Sequence, residues 1–282
     1  ITEASGGNLA AGIGGGAYSN GTVTISGGTI TKASGGDEGA GIGGGSSGNG
    51  TVTITDGDIT ATGGLWGAGI GGGVRRLGNV SIEGNVTIKN AQGGAGAAGI
   101  GGGARAEPDT EDTRNKISIK STEAGSPTIT ATGGGAYKDD YVSLPVGAAA
   151  IGSGSVYETI GEVNAKSDII IEGKVTINAT GGGNVAIGDN DGEKVFNGLA
   201  GGTNIKRTDS NGKDVTQDGD VVAEPEPEPK PEPEEPEKPA QPTVTPTGAE
   251  TAEAPSTGSV EVEHPVTVEG LYVTNVLGKQ IT

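Results

Sequence analysis

Apolar and polar positions alternate in short bursts along the first two thirds of the chain, and the bursts return in a fixed order. Thr22 and Thr24 alternate with Val23 and Ile25, and the same beat recurs over 51–54, 79–82, 116–119 and 168–171. A period of two sends alternate side chains to opposite faces, so each burst predicts a half-buried β-strand with its β-branched residues on the inner side. A shorter burst follows each, centred on Ile30, Ile59, Ile88, Ile129 and Ile177. Gly-Gly pairs come next, and then the segment AGIGGG, at 11–16, 40–45, 68–73 and 98–103, with worn copies at 150–154 and 186–189. Gly and Thr at this density oppose helix.

The corner isoleucines Ile13, Ile42, Ile70 and Ile100 are spaced by 29, 28 and 30 residues. Self-similarity at such a period marks a solenoid, in which one repeat cannot bury its apolar side alone and stacked repeats bury a continuous column. The fold class expected is all-β: a right-handed parallel β-helix of about six coils of roughly 29 residues, with three short strands per coil. Its inner column is expected to hold Ile13, Val23, Ile25, Ile30, Ile42, Val52, Ile54, Ile59, Ile70, Val80, Ile82, Ile88, Ile100, Ile117, Ile119, Ile129, Ile151, Ile169, Ile171 and Ile177. Glycines around each corner leave room where a Cβ would collide or φ must be positive.

From Ile100 to Ile151 the spacing jumps to 51, which predicts insertions at 104–115 and 135–149. The helix is expected to end near 222 with one irregular coil and a polar cap. Residues 223–258 then turn to alternating Pro and Glu, nine Glu against two Lys, a composition for an extended acidic linker. Residues 259–282 return to strand-like alternation and read as a truncated β-rich module. Ile1 to Gly7 align with the third strand of the next repeat, so the chain is expected to be a fragment with its leader and earlier coils missing.

The AGIGGG, GTVTI and TITATGG elements resemble a repeat family of cell-surface proteins of gut bacteria, over residues 1–189. That resemblance implies a β-helix-like fold and an extracellular or bacterial cell-surface location, and assigns no chemistry. Residues Gly270 to Ile281 resemble the strand-turn-strand of the C-terminal sorting domain of the type IX secretion system, which would carry a protein across the outer membrane and anchor it; the second half of that domain is missing here.

Apolar residues make up 31% and aromatics 2%, a share suited to a narrow core stacked in one dimension. The net charge of −18 argues against nucleic acid and anionic membranes as partners, and no apolar run is long enough to insert in a bilayer. A monomer is expected, with glycans or host and bacterial surface components as partners. There is no cysteine, hence no disulfide and no thiol chemistry.

Outward strand positions offer Thr22, Thr24, Thr51, Thr53, Asn79, Ser81, Lys116 and Ser118, hydroxyls without an acid-base pair, so catalysis is not expected. A β-helix lyase or hydrolase would need clustered carboxylates on successive coils. Trp66 lies in the turn before the Ile70 corner, and Tyr137 and Tyr141 lie in the corresponding turn before Ile151, two coil steps away or about 10 Å. With Asp139 and Asp140 as acceptors they form a candidate sugar-stacking platform; the plainer reading is aromatic cover over glycine-rich turns. Asp189 and Asp191, and Asp209, Asn211 and Asp214, place oxygen ligands beside glycine turns, a candidate calcium arrangement, although such residues are also ordinary turn formers.

Overall fold

The computed structural model describes residues 1–105, 114–139, 142–144, 146–155, 166–188, 195–217 and 220–222. The chain divides into two units, Ile1–Pro227 and Glu228–Thr282. The second unit, with the sorting-domain resemblance and most of the acidic linker, lies outside the described residues, as do 106–113 of the first insertion.

The first unit is a parallel β-helix. Corner strands Ile13–Gly14, Ile42–Gly43, Ile70–Gly71, Ile100–Gly101, Ile151–Gly152 and Ile187–Gly188 form a six-stranded parallel sheet with isoleucine over isoleucine and glycine over glycine. The second and third segments of each repeat form an eleven-stranded sheet. In the early coils they run together as one long strand, Gly21–Ser34, Gly50–Thr62 and Gly78–Gln92. Later they part into separate strands, Arg114–Lys120 and Thr128–Thr132, then Lys166–Gly173 and Thr176–Thr180. The join is marked by register shifts beside Ile25 and Ile54, where Gly27, Gly28, Gly57 and Gly84 carry positive φ and turn the strand.

Identical register explains the core. Val23 lies over Val52, then Val80 and Ile117; Ile25 lies over Ile54, Ile82 and Ile119. The expected inner residues all join one apolar cluster, with Ile13 and Val23 at its partly open first coil. The alternation also carries Ala33, Ala61, Ala91, Ala131 and Ala179 inward, two or three residues beyond the third-strand isoleucines. At the corner, a Cβ on Gly43 would be driven into the Gly71 carbonyl oxygen, and its φ of +136° suits glycine alone.

Polar side chains knit the coils where each second strand begins. Asn20 Oδ1 accepts the Asn49 amide at 2.8 Å, and Asn49 Oδ1 accepts the Leu77 amide at 3.1 Å. Fully buried Asn115 continues the pattern, accepting from Gly78 at 2.9 Å and donating to the Lys166 carbonyl and the Ser167 hydroxyl, each at 3.2 Å. Its three bonds satisfy groups that burial alone would leave costly.

The last coil brings Val195–Leu199 and Thr203–Thr208 onto the sheet, and Val221–Val222 closes the edge antiparallel to Thr203–Asn204. Asp220 caps this end, its backbone carbonyl accepting the Ile205 amide at 2.9 Å.

Candidate functional site

Outside the corner sheet, two turns of adjacent coils meet. The turn before the corner in one coil supplies a carbonyl, and the turn after the corner in the next coil supplies the amide. Ser46 donates to Leu9 at 2.8 Å, Val74 to Glu38 at 2.9 Å, Ala104 to Trp66 at 2.9 Å and Ser155 to Gly96 at 2.7 Å. The corner edge is therefore a continuous surface of two interlocked turn columns.

Over the middle coils this edge carries a second small core of Trp66, Val74, Ala97, Ala104 and Leu144, with Ala95, Tyr137 and Val142 packed against it. The insertion after Gly134 builds it. Tyr137–Lys138 and Ser143–Leu144 pair antiparallel, and Gly96 donates to Gly135 at 3.0 Å while Gly134 donates to Ala97 at 2.8 Å. Leu144 is thereby laid over Gly96, where a side chain would strike its Cδ1.

Trp66 and Tyr137 thus touch, with ring centroids 4.7 Å apart and planes at 81°. The separation of about 10 Å expected from coil counting is corrected: the insertion folds back over the intervening coil and delivers Tyr137 to Trp66. Arg105 covers the Trp66 ring with its guanidinium carbon 4.3 Å from the centroid. Trp66 is only 7% exposed, so its ring is part of the second core. Tyr137 Oη donates to Asp139 Oδ2 at 3.0 Å, and Asp139 Oδ1 accepts the Val142 amide at 2.6 Å, which closes the small hairpin. The hydrogen bond to Asp139 raises the Tyr137 phenol above its ordinary ionisation range. Asp140 and Tyr141 lie outside the described residues.

Of the candidate calcium ligands, Asp189 and Asp191 lie outside the described residues. Asp209 is buried, and its Oδ1 accepts the amides of Asn211 at 2.8 Å and Lys213 at 2.9 Å across a turn in which Gly212 has φ +79°. Asp214 Oδ1 accepts the Thr216 amide at 2.9 Å, and Thr216 holds that carboxyl below its ordinary range. These carboxylates serve their own backbone, and among the described residues no group of three or more acidic or imidazole side chains is gathered for a cation.

On the strand face, ion pairs run between coils: Lys32 to Glu3, Lys89 to Asp58 and Lys120 to Glu172 at 2.8 Å, and Arg114 to Asp168 at 2.9 Å. All are partly exposed, so each contributes no more than about 1 kcal/mol. Their chemical effect is larger, because each carboxylate faces a cation rather than a second carboxylate that could share a proton with it.

One feature of the edge has no counterpart among the expected site residues. Tyr18, Ser47, Arg75 and Arg105 have φ of 57°, 52°, 63° and 63°, and they are the non-glycine residues with positive φ among the described residues. Each stands five positions after a corner isoleucine, at Ile13, Ile42, Ile70 and Ile100. The left-handed region costs a side-chain-bearing residue about 1–2 kcal/mol. The constant offset was readable in the sequence; the conformation was not, because Tyr, Ser and Arg carry no turn signal of their own.

The Beta helix repeat family matches residues 23–46 and 52–74. Each match covers most of one coil, from within the second strand through the following corner. The match supports the β-helix-like repeat architecture that the stacked parallel strands show. No curated protein and no solved structure matches it.

Proposed function

We propose that this is a non-enzymatic, secreted or cell-surface repeat protein whose β-helix acts as a structural and adhesive stalk. The observation that carries the reading is the six-rung corner ladder: a coil stack free of cysteine, built by repetition, with outward charges paired between coils at four places. Such a design favours extension and resistance over chemistry. Its strand faces offer hydroxyls and neutralised ion pairs, which suits a scaffold whose contacts are made along its turn edges. The acidic Pro/Glu segment fits a spacer in the same plan, since Pro-rich chains are extended and like charges keep them so.

The test is location. Antibodies raised against residues 1–222 should label intact producing cells or their culture medium, and surface-added protease should remove the cell-bound signal. Labelling only after lysis would contradict the proposal.

A further inference from the structure

Four Asn-Gly pairs occur in the chain, at 20–21, 49–50, 197–198 and 211–212. Asparagine is a chemically labile side chain, and a following glycine, with no Cβ, leaves the next main-chain nitrogen the least shielded. That nitrogen attacks the asparagine carboxamide wherever the local backbone is free to bring the two together. The fold treats the four pairs differently.

Pairs 20–21 and 49–50 are built into the coil stack. Asn20 Oδ1 accepts the Asn49 amide and Asn49 Oδ1 accepts the Leu77 amide, while Gly21 donates to the Asn49 carbonyl at 2.9 Å and Gly50 to the Leu77 carbonyl at 3.0 Å. Both glycines are buried, at sites where a Cβ would strike the carbonyl oxygens of Gly43 and Gly71. Asn197 and Gly198 belong to the strand Val195–Leu199, paired parallel to Lys166–Gly173. The 211–212 pair instead forms the tip of a hairpin at the last coil, where Thr208 bridges Asp214 antiparallel and Asp209 donates to the Lys213 carbonyl at 3.0 Å. Every residue from Ser210 to Asp214 is exposed, and the space around Gly212 would admit a Cβ without contact. Gly212 donates only within the turn, to the Asp209 carbonyl at 3.0 Å, and among the described residues the Asn211 carboxamide has no hydrogen-bond partner. Turn bonds at an exposed tip open at far lower free energy than ladder bonds inside a stack.

We infer that Asn211 is a site of spontaneous deamidation in the folded protein. The Gly212 nitrogen attacks Asn211 Cγ: an N–Cγ bond forms, the Cγ–Nδ2 bond breaks, and ammonia leaves with the amide proton. Water then opens the resulting succinimide at either carbonyl, giving aspartate or isoaspartate, and no other reactant is needed. Each event adds a negative charge to the tip. Isoaspartate also lengthens the main chain by one carbon between the Asn211 and Lys213 amides, both of which Asp209 Oδ1 accepts, so it loosens the carboxylate's hold on this turn. This chemistry does not rest on the stalk reading, since it proceeds in purified protein wherever the protein resides.

The experiment incubates the purified full chain at physiological pH and temperature, both folded and in guanidinium chloride, and locates aspartate and isoaspartate by peptide mass spectrometry after digestion in mild acid. In the folded protein, conversion at Asn211 should run at least about tenfold faster than at Asn20, Asn49 or Asn197, a ratio equivalent to about 1.4 kcal/mol of opening free energy. In guanidinium chloride the four rates should converge, because the stack no longer separates one Asn-Gly pair from another. Asn211→Gln should remove the signal of the folded protein. No conversion at Asn211 in the folded protein, equal or faster conversion at another pair, a tenfold advantage that persists in denaturant, or a signal undiminished by Asn211→Gln each overturns the inference.

Discussion

Arg207 Nη2 meets Asp220 Oδ1 at 2.5 Å, with the two side chains 2% and 3% exposed, at the last coil of the β-helix. Asp220 Oδ2 also accepts the Gln217 amide at 2.7 Å, so one carboxylate fastens both the arginine and the turn that returns the chain over the final rung. Removing one partner from a buried pair strands a charge, at a cost of about 3–5 kcal/mol. Asp220→Ala should lower stability to denaturant by that amount, and Arg207→Met with Asp220→Leu should recover most of it. A single substitution without effect would show that this end is not held by the pair.

The second core has its own reporter, because the chain contains one tryptophan. Trp66 should emit with the blue-shifted maximum of a buried indole and resist quenching by acrylamide. Trp66→Ala should cost about 3–5 kcal/mol and expose the 135–149 insertion to limited proteolysis, since Tyr137 and Leu144 lose their packing surface. Emission typical of water-exposed indole would contradict the contact.

Inner and outer positions of one strand should differ sharply. Ile54 is fully buried between Ile25 and Ile82, whereas its neighbour Thr53 faces outward. Ile54→Ala should cost about 2–5 kcal/mol, and Thr53→Ala should stay within about 0.5 kcal/mol by chemical denaturation. Comparable losses at the two positions would mean that the strand does not separate core from solvent.

Tyr137 is held protonated by Asp139, so its phenol ionises later in the folded protein than in the unfolded chain. The stabilisation is complete below the ordinary tyrosine range near pH 10 and fades as pH rises through the elevated value. An ultraviolet titration of the folded protein should show a late phenol component that Tyr137→Phe removes and Asp139→Asn returns toward the ordinary range. If neither substitution changes the titration curve, the hydrogen bond is not formed in solution.

The solenoid was legible because repetition states it several times: identical residues at identical offsets leave one economical stacking. Ile25, Ile54, Ile82 and Ile119 could be placed over one another without coordinates. The corner edge was only half legible. Trp66 and Tyr137 could be assigned to corresponding turns, but counting coils assumes that a turn stays in its own coil, and the 135–149 insertion does not. At Asp209 sequence shows the oxygens, and the structure adds the Asn211 and Lys213 amides that one of them accepts. The left-handed row escaped because φ at Tyr18 or Arg75 is imposed by the corner on either side of it.

The most direct test of the stacking is a disulfide ruler, clean because the chain has no native cysteine. Thr24 and Thr53 are direct partners in adjacent parallel strands, and Ser81 lies one rung further on the same line. Adjacent rungs at about 4.8 Å lie within disulfide reach, and two rungs, about 10 Å, lie beyond it. Mild oxidation should close Thr24→Cys with Thr53→Cys inside one chain and leave Thr24→Cys with Ser81→Cys as free thiols. Failure of the first pair to close, or ready closure of the second, would contradict the in-register stack on which the account rests.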